Sequence, residues 1–131
     1  MRLGRMMLWM ALLAMALAAG GCGNGSLGMS SQRLHEKLQS GDPSERMCGV
    51  VVAGERADAE SVPYLVHLLE DPEEHVRIAA ILALRKITGT DRGYQYYGPP
   101  TDRAEAVGRW RGWLDRRATT RPATQPAEVR P

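Results

Sequence analysis

The sequence is short of cysteine, of net charge and of catalytic motifs. Its 131 residues include two cysteines, Cys22 and Cys48, too few for a disulfide-stabilised scaffold. The 17 basic residues outnumber the 15 acidic ones only because Arg2 and Arg5 lie in a segment typical of a removable leader. Nucleic-acid binding is not expected, because it needs an excess of basic side chains. A nucleophile elbow, a Walker loop and a CxxC pair are all missing, so no catalytic residue, metal site or cofactor is predicted.

The amino terminus has the layout of an export signal. Two arginines precede an apolar run of about 14 residues, 6–19, which is shorter than the roughly 20 that a membrane-spanning helix needs. Residues 17–22, LAAGGC, are similar to the lipobox of bacterial lipoproteins, in which a cysteine is lipidated and becomes the first residue. The resemblance implies a signal peptide over 1–21 and acyl chains such as palmitate on Cys22. The protein would then be anchored on the extracytoplasmic side of a cell-envelope membrane.

Two alternatives to lipidation stay open at this point. An ordinary secretory peptide would leave Cys22 as a thiol, and an uncleaved leader would be a permanent membrane anchor. After the leader, residues 22–30 are mostly Gly, Ser and Asn, which indicates a flexible tether. Residues 118–131 are rich in Pro, Thr and Ala, which predicts a disordered tail. The folded domain is therefore expected over 31–117.

Within this domain the chain repeats itself. Asp-Pro pairs at 42–43 and 71–72 are 29 residues apart, a spacing typical of stacked repeat units. Asp42 and Asp71 are each placed to N-cap a helix, with Pro at the first helical position and Glu three residues after the cap. Each unit is predicted to be two helices joined by a short turn, and Gly89 is predicted to end the second unit.

Two further segments complete the predicted fold. Residues 48–54 contain β-branched residues and two glycines, which alone also fit a buried strand, but the repeat favours a helix. After a loop over 91–100, Asp102 offers another capping box, and an apolar stripe with Trp110 and Trp113 predicts a helix that caps the array. The expected fold class is all-α: a short α-solenoid of about two helical hairpins plus a C-terminal capping helix.

The second unit resembles a known repeat family. Residues 61–84, SVPYLVHLLEDPEEHVRIAAILAL, are similar to the short HEAT repeats of phycobilisome-lyase-like HEAT proteins, and the resemblance covers 58–89. In that family an aspartate at the inter-helix turn and an arginine six residues later form a ladder between neighbouring repeats, and Asp71 and Arg77 occupy these positions. In the first unit Cys48 would occupy the arginine position, which implies an incomplete ladder. The family implies macromolecule binding without chemistry of its own; its lyase-type members suggest ligand or cofactor handling as an alternative.

Charge and tyrosines indicate a candidate interaction surface. Residues 42–74 carry a net charge of −7 and residues 75–117 one of +5, which fits either neutralisation between adjacent helices or a polar docking surface. The surface candidates are Tyr94, Tyr96, Tyr97, Arg109 and Arg111. The tyrosines could instead pack over the last helix pair, and the basic helix could face an acidic partner or anionic lipid headgroups. We expect a membrane-tethered, non-catalytic scaffold or adaptor for an unknown protein partner, and self-association is a further expectation because two repeats bury little core.

Overall fold

The computed structural model describes residues 28–120, which form α-helices, 3₁₀ turns and loops and contain no strand. The α-helices are α1 (Ser31–Leu38), α2 (Pro43–Arg56), α3 (Val62–His67), α4 (Glu74–Thr88) and α5 (Pro100–Thr120). Two 3₁₀ turns, Ala59–Ser61 and Leu68–Glu70, extend α3 at both ends. The expected all-α short solenoid is confirmed. The leader and Cys22 lie outside the described residues, as does most of the predicted tail, whose first residues, 118–120, are helical.

The helices form two hairpins and a cap. α1 packs on α2, α3 packs on α4, and the largest interface joins α2 to α4. The core between them consists of apolar side chains that are almost completely inaccessible to water. It includes Leu34, Leu38, Val50, Leu65, Leu69, Val76 and Leu84. Because α2 and α4 pack side by side, residues at equivalent positions of the two repeats point to the same side of the array.

The helix starts set the true length of the repeat. Asp42 caps α2 as predicted, because its carboxylate accepts the backbone N–H of Ser44 at 2.8 Å. α4 begins at Glu74, with Glu73 at the N-cap position, so the prediction that Asp71 caps this helix is wrong. The two helices start at Pro43 and Glu74, which gives a repeat of 31 residues and not the 29 that separates the Asp-Pro pairs.

The glycines of segment 48–54 lie where helices approach each other closely. The segment is helical, as the repeat indicated. A Cβ added at Gly49 would lie 3.1 Å from the Leu38 side chain, and one added at Gly54 would lie 3.3 Å from the Cβ of Ala83. Gly49 therefore allows α2 to approach α1, and Gly54 allows it to approach α4. These contacts compensate for the low helix propensity of glycine.

The capping helix packs on the second repeat. α5 lies against α3 and the 3₁₀ turn that follows it. Trp110 is completely buried, and its indole Nε1–H donates to the carbonyl of Asp91 at 3.1 Å. Trp113 packs edge to face against Trp110, with ring centroids 5.6 Å apart, and is only partly buried. α5 begins at Pro100, so Asp102 lies in its first turn and is not its cap.

Candidate interaction surfaces

A buried ion pair joins the two repeats. The Arg46 guanidinium donates from Nε to Asp71 Oδ2 at 2.7 Å and from Nη2 to Oδ1 at 3.0 Å, while its Nη1 donates to the carbonyl of Ser40 at 2.9 Å. The side chains of Arg46 and Asp71 are 12% and 3% exposed. The hydrogen bond to Asp71 raises the pKa of Arg46, against the opposing effect of burial. The pair is largely shielded from solvent, so its role is to hold the repeats together.

This pair corrects the predicted ladder. Arg77 does not bind the Asp71 carboxylate; its Nη1 donates to the carbonyls of Asp71 at 2.8 Å and Pro72 at 3.0 Å. Arg46 binds the carbonyls of its own turn in the same way, so Arg46 and Arg77 are the equivalent residues. Cys48 is therefore not the ladder position. The first repeat does supply a ladder arginine, so the expectation of an incomplete ladder was wrong. Superposing the two Asp-Pro pairs assumes a repeat of 29 residues, whereas the helix starts give 31.

The second ladder arginine has different neighbours. Arg77 Nε is buried and has no hydrogen-bond partner among residues 28–120. The loop after α4 places Tyr94 near this guanidinium, and the Tyr94 hydroxyl donates to the carbonyl of Leu69 at 2.6 Å. Burial raises the pKa of Tyr94, partly offset by the positive charges of Arg77 and Arg103. Tyr94 is 4% exposed, so its assignment to an exposed interaction surface was wrong; it packs back onto the last helix pair.

The other two tyrosines of the loop lie at the surface. Tyr97 is 70% exposed and packs edge to face against Tyr96, with ring centroids 5.1 Å apart. Both line a shallow hollow together with Ile78 and Leu82 of α4. Leu82 is itself 56% exposed, which is unusual for a large apolar side chain in a packed array. The tyrosine loop and the outer side of α4 thus form one patch, which is apolar at Ile78, Leu82 and Tyr97 and is bordered by the ion pair between Arg85 and Asp91.

The same patch continues onto the first repeat. Val51 of α2 is 48% exposed and lies 31 residues before Leu82, at the equivalent position of its repeat. Met47 and Ile78 are a second equivalent pair, and both are partly exposed. Packed helices are about 8–10 Å apart, so these positions adjoin. We name this surface the apolar face; it consists of Met47, Val51, Ile78, Leu82, Tyr96 and Tyr97.

The predicted basic residues of α5 are not part of the apolar face. Arg111 pairs with the exposed carboxylate of Glu70. Arg109 donates from Nε to the carbonyl of Arg92 at 2.9 Å. Arg92 itself stacks on the rings of Trp113 and Trp110, 4.5 and 5.0 Å from their centroids. The prediction that Arg109 and Arg111 share a surface with the tyrosines is therefore wrong. Arg109 lies against the loop at Arg92, and Arg111 lies beside Glu70.

Arg92 and Arg116 were missed by the sequence reasoning. Burial lowers the pKa of Arg92, and the nearby charge of Arg116 lowers it further. The sequence did contain a signal for Arg116. It follows Glu105, Arg109 and Gly112 at helical spacing, which predicts that Arg109 and Arg116 lie on the same side of the helix. The contribution of Arg92 had no such signal, because it depends on how the loop folds over the tryptophans.

The histidines of the described chain do not cluster with other metal-binding side chains. Over residues 28–120, no group of three or more His, Cys, Asp or Glu side chains could hold a metal ion. His35 stacks on Tyr64 with ring centroids 4.4 Å apart, and His75 lies 3.8 Å from the Glu73 carboxylate. None of the described helices is both long and apolar enough to cross a membrane.

Stacked helical hairpins joined by a buried arginine–aspartate pair define the class of short α-solenoids. Residues 31–96 match the family described as HEAT repeats, which is just over half of the chain, and the chain therefore belongs to the HEAT-repeat family. The match begins at α1, so the first hairpin belongs to the repeat array as well as the second. A search of curated proteins and a search of solved structures each returned no match.

Proposed function

We propose that this protein is a membrane-tethered, non-catalytic adaptor that binds a protein partner through the apolar face. HEAT repeats commonly mediate protein–protein interaction. The observation that carries the proposal is the exposure of Val51 and Leu82 at equivalent positions of consecutive repeats. Exposed apolar side chains in a continuous patch mark interaction sites, since their burial by a partner releases ordered water. The exposed Tyr97 extends the patch with a residue type enriched at interfaces.

The rim of the apolar face gives the partner an orientation. One helical turn beyond Val51 lies Glu55, and one turn beyond Leu82 lies Lys86; both side chains are exposed. The two repeats thus place opposite charges at the same edge of the face. A partner with apolar side chains at its centre and a basic and an acidic group at its edge would dock in one direction, because the reversed pose brings like charges together.

The membrane part of the proposal depends on the leader. We infer that residues 1–21 are a lipoprotein signal peptide, that Cys22 carries the lipid, and that the protein resides in the cell envelope. The segment from 22 to 30 supplies nine residues, which extended would reach roughly 30 Å from the bilayer. Such a tether confines the domain to the membrane surface and raises its effective concentration toward membrane-bound partners. Within the family, the sequence 61–84 supports membership of the phycobilisome-lyase-like group.

In-cell cross-linking with affinity capture from the membrane fraction tests the proposal. The wild-type chain is compared with Leu82→Glu on the apolar face and with Cys22→Ser at the lipidation site. Ala104→Glu is the matched control, because Ala104 is exposed on α5, outside the apolar face. We expect one reproducible protein partner that is lost in Leu82→Glu and in Cys22→Ser and kept in Ala104→Glu.

Other outcomes would overturn parts of the proposal. A partner retained by Leu82→Glu, with unfolding unchanged, would remove the apolar face from the interaction. Retention by Cys22→Ser with unchanged membrane recovery would remove the lipid tether. If sedimentation of the purified chain shows a dimer that Leu82→Glu dissociates, the occupant of the face is a second copy and the adaptor function is wrong.

A further inference from the structure

A second surface, separate from the apolar face, collects arginines around a shallow hollow. Arg92 comes from the loop after α4, and Arg109 and Arg116 come from α5, two turns apart on one side of the helix. Thr90, Glu105, Gly108 and Gly112 complete the lining. We name this site the arginine hollow. We propose that the arginine hollow binds a phosphate group, either as the free anion or as the phosphate of a lipid headgroup.

The cations of the hollow lack carboxylate partners. Over residues 28–120, none of Arg92, Arg109 and Arg116 forms an ion pair with an acidic side chain, whereas Arg46, Arg85 and Arg111 each do. Glu105 is the one carboxylate that lines the hollow. The proximity of Arg116 also lowers the pKa of Arg92. Like charges held together repel one another, and a bound anion removes that repulsion.

Two of the three arginines are held in place by the fold. Arg92 lies over the two tryptophan rings, and Arg109 is fixed by its hydrogen bond to the Arg92 carbonyl. Gly93 has a positive φ of 74°, and a Cβ at this position would lie 3.1 Å from Arg109 Nη2. The absence of a side chain there lets the arginine lie against the loop. Donors that are already positioned lose little conformational entropy when an anion binds.

The hollow also contains unused hydrogen-bonding capacity. Arg92 Nε is shielded from solvent and has no partner in the described chain. Thr90 Oγ1 accepts the backbone N–H of Arg92 at 3.1 Å, which leaves its hydroxyl proton able to donate. On the helix side, an added Cβ at Gly108 would meet nothing within 4 Å. There is therefore room for a small anion to lie against α5 between the arginines.

Phosphate is the oxyanion that fits these donors best. Arginine forks bind planar pairs of oxygens, and a tetrahedral phosphate offers several such pairs to arginines that approach from different directions. A phosphate monoester or free phosphate carries about 1.5 to 2 negative charges at neutral pH, whereas a headgroup diester carries one. Both sources present the same oxygens, so the experiment must separate them.

The first arm measures thermal unfolding of the full chain in inorganic phosphate and in chloride of equal ionic strength. We expect phosphate to raise the Tm of the wild type by selective binding to the native state. Arg116→Gln and Arg109→Gln should each weaken phosphate binding by about tenfold, which is the loss of one charge-assisted contact. Arg117→Gln is the matched control, since Arg117 stacks on Trp113 but does not line the hollow. Glu105→Gln should tighten binding.

The second arm uses vesicles of phosphatidylcholine with or without phosphatidylglycerol, containing a lipid with a fluorescence quencher on its headgroup. The full chain carries Trp9→Phe, so that the emission comes from Trp110 and Trp113 beside the hollow. Quenching that requires phosphatidylglycerol and is lost in Arg116→Gln but not in Arg117→Gln identifies the headgroup as the source. A Tm response to inorganic phosphate without such quenching identifies the free anion. If neither arm responds, or if Arg116→Gln and Arg117→Gln behave alike, the proposal is wrong.

Discussion

The two ladder arginines occupy the same position in their repeats and have different partners. Arg46 donates two hydrogen bonds, from Nε and Nη2, to the carboxylate of Asp71 in the following repeat. Among residues 28–120, the hydrogen-bond partners of the Arg77 side chain are backbone carbonyls of its own turn, and the buried Tyr94 lies near it. The difference shows how this short array ends. A polar pair joins repeat to repeat, whereas an apolar cap, made of Tyr94 and the tryptophans of α5, closes the last repeat.

The largest effect is expected from breaking the cap. Trp110→Ala should lower the free energy of unfolding by about 3–5 kcal/mol, because the ring is completely buried and its removal leaves a cavity. Trp113→Ala should cost clearly less, since that ring is partly exposed. Chemical denaturation followed by circular dichroism measures both. An equal loss of stability in the two variants would contradict the finding that Trp110 is more deeply buried than Trp113.

The second largest effect is expected from breaking the ion pair between Arg46 and Asp71, which joins the two repeats. Asp71→Asn leaves Arg46 buried without its counter-charge and should cost about 3 kcal/mol, as expected when one partner of a buried ion pair is removed. Arg77→Gln is the matched variant at the other ladder position and should cost less than about 1 kcal/mol, because no carboxylate loses its partner. Similar losses of stability in Asp71→Asn and Arg77→Gln would show that the ion pair between the repeats contributes no more than the backbone contacts of Arg77.

A smaller effect, with a pH signature, comes from Tyr94. Tyr94→Phe removes the hydrogen bond to the Leu69 carbonyl and should cost about 1 kcal/mol at neutral pH. Burial raises the pKa of Tyr94 above its unfolded value near 10, so the unfolded chain loses this proton first as the pH rises. The contribution of Tyr94 is therefore complete below about pH 10 and declines above it. Urea titrations at pH 8 and pH 11 should show a smaller difference between wild type and Tyr94→Phe at the higher pH; a constant difference would contradict the raised pKa.

Local features of this fold could be predicted from the sequence, and long-range pairing could not. Asp42, Gly89 and the tryptophan stripe mark helix ends and a capping helix through rules that act within a few residues. The pair between Arg46 and Asp71 spans 25 positions, and two similar Asp-Pro pairs suggested a different alignment. The pairing therefore became clear only when α2 and α4 were placed side by side.

The same limit applies to the candidate sites. Three tyrosines in one loop look alike in sequence, yet Tyr94 is buried and Tyr97 is exposed, because only Tyr94 reaches the Leu69 carbonyl. The equivalence of Val51 and Leu82 becomes visible once the repeat length is 31. Arg92 stacks on tryptophan rings of α5 that are about 20 residues away in the chain. Helical spacing relates residues three or four positions apart, so it could not predict this contact.

The smallest effect compares the helix ends of the two repeats. α4 ends at Gly89 with φ of 77°, the left-handed conformation that glycine adopts without strain, whereas α2 ends at Ala57 with φ of 49° in the same conformation. Ala57→Gly should therefore stabilise the protein by less than about 1 kcal/mol, because relief of the Cβ strain exceeds the added entropy of the unfolded chain. Gly89→Ala should destabilise it by about 1 kcal/mol. Paired denaturation curves would show the opposite signs; a loss of stability in Ala57→Gly would mean that packing of the Ala57 methyl group outweighs the backbone strain.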